Sequence, residues 1–84
     1  MNMYYSLLVS RLAKQIREKR INRGHTQAQL AELAGLTRQK VIAVEKGVLS
    51  VSMVAYARVC GALDCELDVV PAAMPTLEEL GELF

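Results

Sequence analysis

The chain has 84 residues, 52% of them hydrophobic, and a formal net charge of +1. This length suits one small domain, and the hydrophobic fraction excludes an intrinsically disordered chain. No stretch has the roughly eighteen uncharged apolar residues of a membrane span, and MNMYYSLLVS lacks the features of a secretory signal peptide, so we expect a cytoplasmic protein.

The small net charge conceals two halves of opposite charge. Residues 11–47 carry nine basic side chains against three acidic ones, whereas residues 48–84 carry one against six. This segregation favours a polyanion as partner for the first half and a basic protein surface for the second. Two solvated faces without partners would give the same charge distribution.

Helix signals occupy most of the chain. Residues 10–22 have the periodicity of a first helix, and Thr26 with Gln29 forms a capping-box pattern at the start of a second. Gly35 is a helix stop signal, and Thr37 is the N-cap of a third helix. A fourth helix follows Ser50 or Ser52, and its predicted buried stripe is Met53, Tyr56, Val59, Cys60 and Leu63.

The third helix is predicted to have two distinct faces. At 100° per residue, Val41 and Val44 point with Leu36 toward the core. The opposite face then carries Arg38, Gln39, Ile42, Ala43 and Lys46. The alternative arrangement places Ile42 in the core and Val41 outside.

The periodicity changes after the fourth helix. In CELDVV (65–70), Cys65, Leu67 and Val69 alternate with acidic residues, which predicts a β-strand. A lone strand leaves its backbone groups unpaired, so we expect it to pair with its copy in a homodimer, with residues 3–9 packed nearby. This gives a domain over 1–70 with a dimerising strand at 65–70.

Residues 71–84 are predicted to be a linker and an acidic tail. PAAMP is short and stiff, and TLEELGELF forms a capped helical turn or two. The apolar side of the tail consists of Leu77, Leu80, Leu83 and Phe84. Gly81 weakens this helix, which favours ordering on a partner.

The stretch HTQAQLAELAGLTRQKVIAVEKG (25–47) joins two short helices through a glycine turn, the arrangement of a helix-turn-helix. It resembles the Cro/phage-repressor type (XRE family), whose pattern TQ-x-x-LA-x-x-x-G-x-x-x-x-x-I-x-x-x-E-x-G it follows with Val41 in place of Ile. The resemblance extends from KRINRG (19–24) to about residue 67. It implies an all-α, compact, four- to five-helix repressor-type domain that binds an inverted repeat in double-stranded DNA.

Carried over position by position, the resemblance also implies residue roles. Gln27 corresponds to a residue that contacts a DNA phosphate, and Arg20 and Glu45 correspond to a structural ion pair. The recognition helix would present Thr37, Arg38, Gln39, Ile42 and Ala43.

The chemistry of these side chains agrees with base recognition. Arg38 can donate two hydrogen bonds to guanine and Gln39 can pair with adenine, each discriminating by about 1–3 kcal/mol, and Ile42 can contact a thymine methyl. Lys40 and Lys46 either contact DNA phosphates or are only solvated, and the salt dependence of DNA binding would distinguish these two possibilities.

Catalytic and metal sites are not expected. His25 has no partner for catalysis, so we interpret it as structural, and Cys60 and Cys65 as buried free thiols. The acidic pairs Glu78/Glu79 and Asp64/Asp68 are interpreted as solvated surface. We therefore predict no enzyme activity, no metal and no cofactor.

The predicted function is a DNA-binding transcriptional repressor that acts as the antitoxin of a type II toxin–antitoxin system. The strand and short tail resemble HipB-type antitoxins, whose partner is a HipA-type kinase toxin. The alternative is a stand-alone phage-type or restriction–modification controller repressor. A protein-interaction module is a third possibility, and binding to specific against scrambled DNA would separate it from a regulator.

Overall fold

The computed structural model describes residues 5–81, and the predictions for residues 3, 4, 83 and 84 lie outside this range. The described chain contains five α-helices and no β-strand, so the all-α prediction is confirmed. The helices are α1 (Tyr5–Asn22), α2 (Gln27–Ala34), α3 (Arg38–Glu45), α4 (Met53–Ala62) and α5 (Leu77–Gly81).

The helix starts follow the predicted caps, with one exception. The Thr26 hydroxyl accepts a hydrogen bond from the Gln29 N–H, and the Gln29 side chain accepts one from the Thr26 N–H, which completes the capping box. Ser52 caps α4. In contrast, α1 begins five residues before the predicted Ser10, because the apolar residues preceding Ser10 continue the helix and bury Leu7.

The core lies between α1, α2, α3 and α4. Helix α2 packs against α3 and α4, and α1 packs against α3. The largest fully buried side chains are aliphatic: Leu30, Val41, Val44, Val59 and Leu63. Met53 was predicted to be buried but is 67% exposed, and Ala55 is buried instead. Met53 is the first residue of α4, so its side chain extends past the end of the packed layer.

The predicted β-strand at 65–70 is wrong. This segment has no regular secondary structure, and of the strand residues Cys65 is half-buried, Leu67 is 45% exposed and Val69 is 98% exposed. Alternation indicated an extended backbone, but a strand also requires hydrogen bonds to a neighbouring strand. No such strand exists within residues 5–81.

The C-terminal tail lies against α1 of the same chain. Arg11 in α1 forms an ion pair with Glu79 in α5, with Nη2 donating to Oε1 at 3.1 Å, and Arg11 also donates to the Ala73 carbonyl. Thr76 caps α5 through reciprocal hydrogen bonds with Glu79. Contacts within the same chain therefore hold the short helix against α1. Between residues 5 and 81, none of the helices has the length and hydropathy of a bilayer span.

Candidate nucleic-acid interface

A tight turn between α2 and α3 sets the direction of α3. Gly35 has φ of +69°, and the Leu36 N–H donates to the Ala31 carbonyl at 2.9 Å, which closes the end of α2. Glycine takes this left-handed conformation without a Cβ penalty. The half-buried Leu36 packs against the core, and Thr37 then caps α3 by accepting from the Lys40 N–H. The turn ends one helix and starts the next within three residues.

The buried face of α3 is the predicted one, and the opposite face matches the prediction at Arg38 and Gln39. Val41 and Val44 are fully buried, whereas Arg38, Gln39 and Lys40 are exposed. These three side chains occupy the first turn of the helix, next to the exposed cap Thr37. A helix held by its inner face and free at its first turn can enter a DNA major groove, which is wide enough for one helix.

The remaining predicted contact residues of α3 are placed differently. Ile42 and Ala43 are half-buried, so only part of each side chain is available to a ligand. Lys46 is exposed at the C-terminal end, where its N–H donates to the Ile42 carbonyl. Since an eight-residue helix is about 12 Å long, Lys46 and Arg38 mark opposite ends of this surface.

A hydrogen-bonded ion pair fixes the base of α3 to α1. The Arg20 guanidinium donates from Nε to Glu45 Oε2 at 2.7 Å and from Nη2 to Oε1 at 3.0 Å. Its third donor, Nη1, reaches the His25 carbonyl at 2.8 Å. The two side chains are only 11% and 3% exposed. These are the residues for which the resemblance implies a structural ion pair.

Gln27 joins this pair from the first turn of α2. Its Nε2 donates to Glu45 Oε1 at 3.3 Å, so one carboxylate holds groups from α1 and α2 at the end of α3. The sequence alone did not reveal this contact, because residues 27 and 45 belong to different helices with no pattern linking them. The side-chain oxygen of Gln27, Oε1, takes no part in this hydrogen bond.

The start of α2 and the start of α3 face a common shallow depression. It is lined by Arg20, Thr26, Gln27, Ala28 and Arg38. The first N–H groups of a helix have no intrahelical partner and carry a partial positive charge. Together with the Arg38 guanidinium, this end of α2 therefore provides an environment that favours an anion such as a DNA phosphate.

Ala28 was not predicted as a site residue, although its place in the first turn after a capping box is a signal that points to it. The other predicted site residues, Cys65, Leu67 and Val69, lie outside this surface, in the extended segment after α4. Among residues 5–81, no three His, Cys, Asp or Glu side chains are grouped as a metal ion would require.

Comparisons with known proteins agree on one family. A family model described as helix-turn-helix matches residues 16–70. The chain is 49% identical over 51 residues to an uncharacterized HTH-type transcriptional regulator of Methanothermobacter thermautotrophicus, covering 61% of this chain and 74% of that protein. It is 32% identical over 59 residues to the uncharacterized HTH-type transcriptional regulator YgzD of Bacillus subtilis, covering 70% of this chain and 89% of that protein.

Proposed function

The chain belongs to the XRE-type helix-turn-helix family, and from this premise we propose that it is a transcriptional regulator that represses by binding a specific DNA sequence. The observation that carries this proposal is the arrangement of α3, where Arg38, Gln39 and Lys40 are exposed while Val41 and Val44 are fully buried. Arg38 and Gln39 supply base-reading groups, and Lys40 adds charge toward the phosphates. No catalytic role is part of this proposal.

The arrangement also suggests how the protein is oriented on DNA. Phosphates would contact the start of α2 and Lys46 at the C-terminal end of α3, while the first turn of α3, with Arg38 and Gln39, reads base edges. We propose that two copies bind an inverted repeat, with recognition helices about 34 Å apart, one turn of B-DNA. Exposed apolar side chains at Val69 and Val70 support a protein contact of this kind.

Selection of binding sites from random DNA tests the proposal. The full chain should enrich a palindromic motif, and complexes with the enriched duplex should contain two chains. The variant Gln39→Ala should lose preference at one base pair of each half-site. Lys19→Ala removes an exposed cation from a cleft between α1 and the end of α4, and it should enrich the same motif as the unaltered chain. Absence of any enriched motif would overturn the proposal.

One observation favours a second role, as the antitoxin of a toxin–antitoxin pair. The segment after α4 exposes several apolar side chains among acidic ones: Val69 at 98%, Val70 at 67%, Met74 at 87% and Leu77 at 88%. Apolar and acidic groups together suit a partner with an apolar, basic surface. The strand on which the resemblance to HipB-type antitoxins was partly based is absent from residues 65–70, so the apolar and acidic tail is what supports a HipA-type kinase as the toxin. A stand-alone repressor remains the alternative.

The product of a neighbouring kinase-like reading frame would separate these two roles. After that product is tagged and purified, it should retain the full chain, and the double variant Met74→Ser/Leu77→Ser should bind to it at least tenfold more weakly, a loss of roughly 1.4 kcal/mol. The same variant should still bind the selected DNA, since neither residue lies on α3. Retention of neither protein would favour the stand-alone repressor, and equal retention of both would show that these two side chains do not form the contact.

A further inference from the structure

Helix α4 ends in a backbone motif that brings residues 60 and 65 close together. The Cys65 N–H donates to the Cys60 carbonyl at 2.8 Å, and the Asp64 N–H donates to the Gly61 carbonyl at 3.1 Å. These two bonds, with Asp64 in the left-handed region at φ of 55°, define a Schellman motif. Such motifs are commonly accompanied by contact between the side chains at the two outer positions.

In α4 those outer positions are both cysteines. Cys60 belongs to the hydrophobic core, and the half-buried Cys65 packs against that same core. The corresponding outer pairs after α1, α2 and α3 are Arg20 with His25, Ala31 with Leu36, and Ala43 with Val48. Among residues 5–81, the end of α4 is therefore the one helix end that has a cysteine at both outer positions. Both are free thiols in the structure.

The two thiols also share access to one cleft. A cleft of about 380 Å³ lies between α1 and the chain leaving α4, and Cys60, Cys65 and Leu63 form part of its apolar wall. Glu18 and Lys19 lie on the α1 side of the same cleft. A small disulfide compound can enter a cleft of this size, and the Lys19 ammonium can pair with its carboxylate.

The thiols differ in accessibility. Cys60 is only 5% exposed, and its burial, together with the nearby Cys65, raises the pKa of the Cys60 thiol. Cys65 is half-buried, and its Sγ–H donates to the Leu63 carbonyl at 3.3 Å. An external oxidant therefore reaches Cys65 first, and Cys60 is placed to react second.

We propose that Cys60 and Cys65 form a reversible intramolecular disulfide, made by exchange with a small disulfide such as oxidised glutathione. This site is separate from the DNA-binding surface and does not depend on the proposed function. A disulfide needs Cα atoms about 4.4–6.8 Å apart, and the closing hydrogen bond between Cys65 and Cys60 holds the two backbones close together.

The exchange takes place in two steps. The Cys65 thiolate attacks one sulfur of oxidised glutathione, whose S–S bond breaks, releasing one glutathione thiolate that takes up a proton. The Cys60 thiol then loses its proton and attacks the Cys65 sulfur, and the bond between Cys65 and glutathione breaks to release the second glutathione. The two protein thiols are oxidised, and one glutathione disulfide is reduced to two thiols.

Intact mass after thiol blocking tests this proposal on the full chain. When it is unfolded in guanidinium chloride for labelling, which exposes Cys60, the reduced chain should take up two N-ethylmaleimide groups. After incubation with oxidised glutathione, the monomer should take up none and weigh about 2 Da less, and dithiothreitol should restore both thiols. Trypsin cleavage after Arg58 leaves both cysteines in one peptide, which should carry the same loss of mass. A stable glutathione adduct, a disulfide-linked dimer, or two thiols that stay reactive would each overturn the proposal.

Two variants assign the order of the steps. Cys60→Ala should stop at a glutathione adduct on residue 65. Cys65→Ser should react at least tenfold more slowly with oxidised glutathione, because only the buried thiol remains. Circular dichroism should show that both variants are folded. If Cys60→Ala is unfolded, the order of the steps is tested by comparing the rate at which Cys65→Ser reacts with oxidised glutathione with the rate of the unaltered chain. Equal reactivity of these two proteins would contradict the assigned order.

Discussion

Arg20 in α1 and Glu45 at the end of α3 form a two-point ion pair that is largely shielded from water, with N–O distances of 2.7 and 3.0 Å. The carboxylate also accepts from Gln27, and the guanidinium also donates to the His25 carbonyl. Each charge is thus matched by several hydrogen bonds. The orientation of α3 depends on this pair, because Glu45 is the last residue of α3.

Breaking this pair should strongly destabilise the domain. In Glu45→Ala the Arg20 guanidinium keeps its charge in a site with little solvent, and the free energy of unfolding should fall by about 3–5 kcal/mol. Urea denaturation followed by circular dichroism measures this loss. Arg23→Ala is the matched control, since Arg23 contacts Asp64 at 3.3 Å on the surface and its removal should cost no more than about 1 kcal/mol. Equal losses would contradict the argument from burial.

Arg38 and Lys46 should affect DNA binding in different ways. Arg38→Ala should relax preference at one base position by about 1–3 kcal/mol and leave preferences elsewhere intact. Lys46→Ala should weaken binding to all sequences alike and reduce the salt dependence by about one phosphate contact. Titrations of the selected duplex and its single-base variants at several salt concentrations measure both effects. A uniform loss in Arg38→Ala would show that Arg38 does not read a base.

Gly35 should resist substitution for a backbone reason. Gly35→Ala should lower the free energy of unfolding by about 1–2 kcal/mol, because φ is +69° there. A new Cβ would also lie 3.0 Å from Arg58 Nη1, but that flexible guanidinium can move. Gly61→Ala is the control, since Gly61 lies inside α4, where an added Cβ would have no heavy atom within 4 Å apart from the neighbouring backbone of its own helix. The free energy of unfolding of Gly61→Ala should rise by about 0.5–1 kcal/mol. A loss in both variants would contradict the explanation from φ.

The docking of α5 should depend on acidity. Arg11, together with the Thr76 N–H, lowers the pKa of Glu79 from 4.5 to about 2. Because the folded-state pKa is depressed, the contact is fully present above pH 4.5 and is lost as the pH falls toward 2. Amide chemical shifts of residues 76–81 should follow this loss. Glu79→Gln should show undocked shifts already at pH 7, while Glu78→Gln should behave as the unaltered chain. Shifts that do not respond to pH in this window would contradict the assignment.

The Tyr56 hydroxyl should be dispensable. It is buried and makes no hydrogen bond in the described part of the chain, and burial raises its pKa. Tyr56→Phe removes an unpaired polar group, so the free energy of unfolding should rise by up to about 1 kcal/mol. Tyr5→Phe, at a side chain 68% exposed, should change nothing measurable. A loss of stability in Tyr56→Phe would mean that the hydroxyl has a partner.

The sequence predicted those features that depend on neighbouring residues. Thr26, Gly35 and Thr37 each act through backbone groups a few positions away, so their patterns predicted the caps and the turn. The inward direction of Val41 and Val44 followed from helical periodicity alone. These features position the candidate site, whereas the DNA-contact roles of its residues came from the family resemblance and stay predictions.

Except for the pair of Arg20 and Glu45, which the family resemblance implied, features that depend on distant contacts were missed. The strand predicted at 65–70 needs a second strand, and alternation cannot supply one. The pairing of Arg11 with Glu79 spans 68 residues, so no local pattern points to it. The exposure of Met53 likewise depends on where the core ends. Such contacts follow from how the helices pack together.

The exposed and the half-buried positions of α3 differ in how freely they can change during evolution. Substitutions at exposed positions usually change stability by less than about 0.5 kcal/mol, so residues 38–40 can mutate with little effect on folding. The half-buried Ile42 and Ala43 lack this freedom. A descendant of this protein could therefore acquire a new operator through changes in a single helical turn, with the scaffold inherited unaltered.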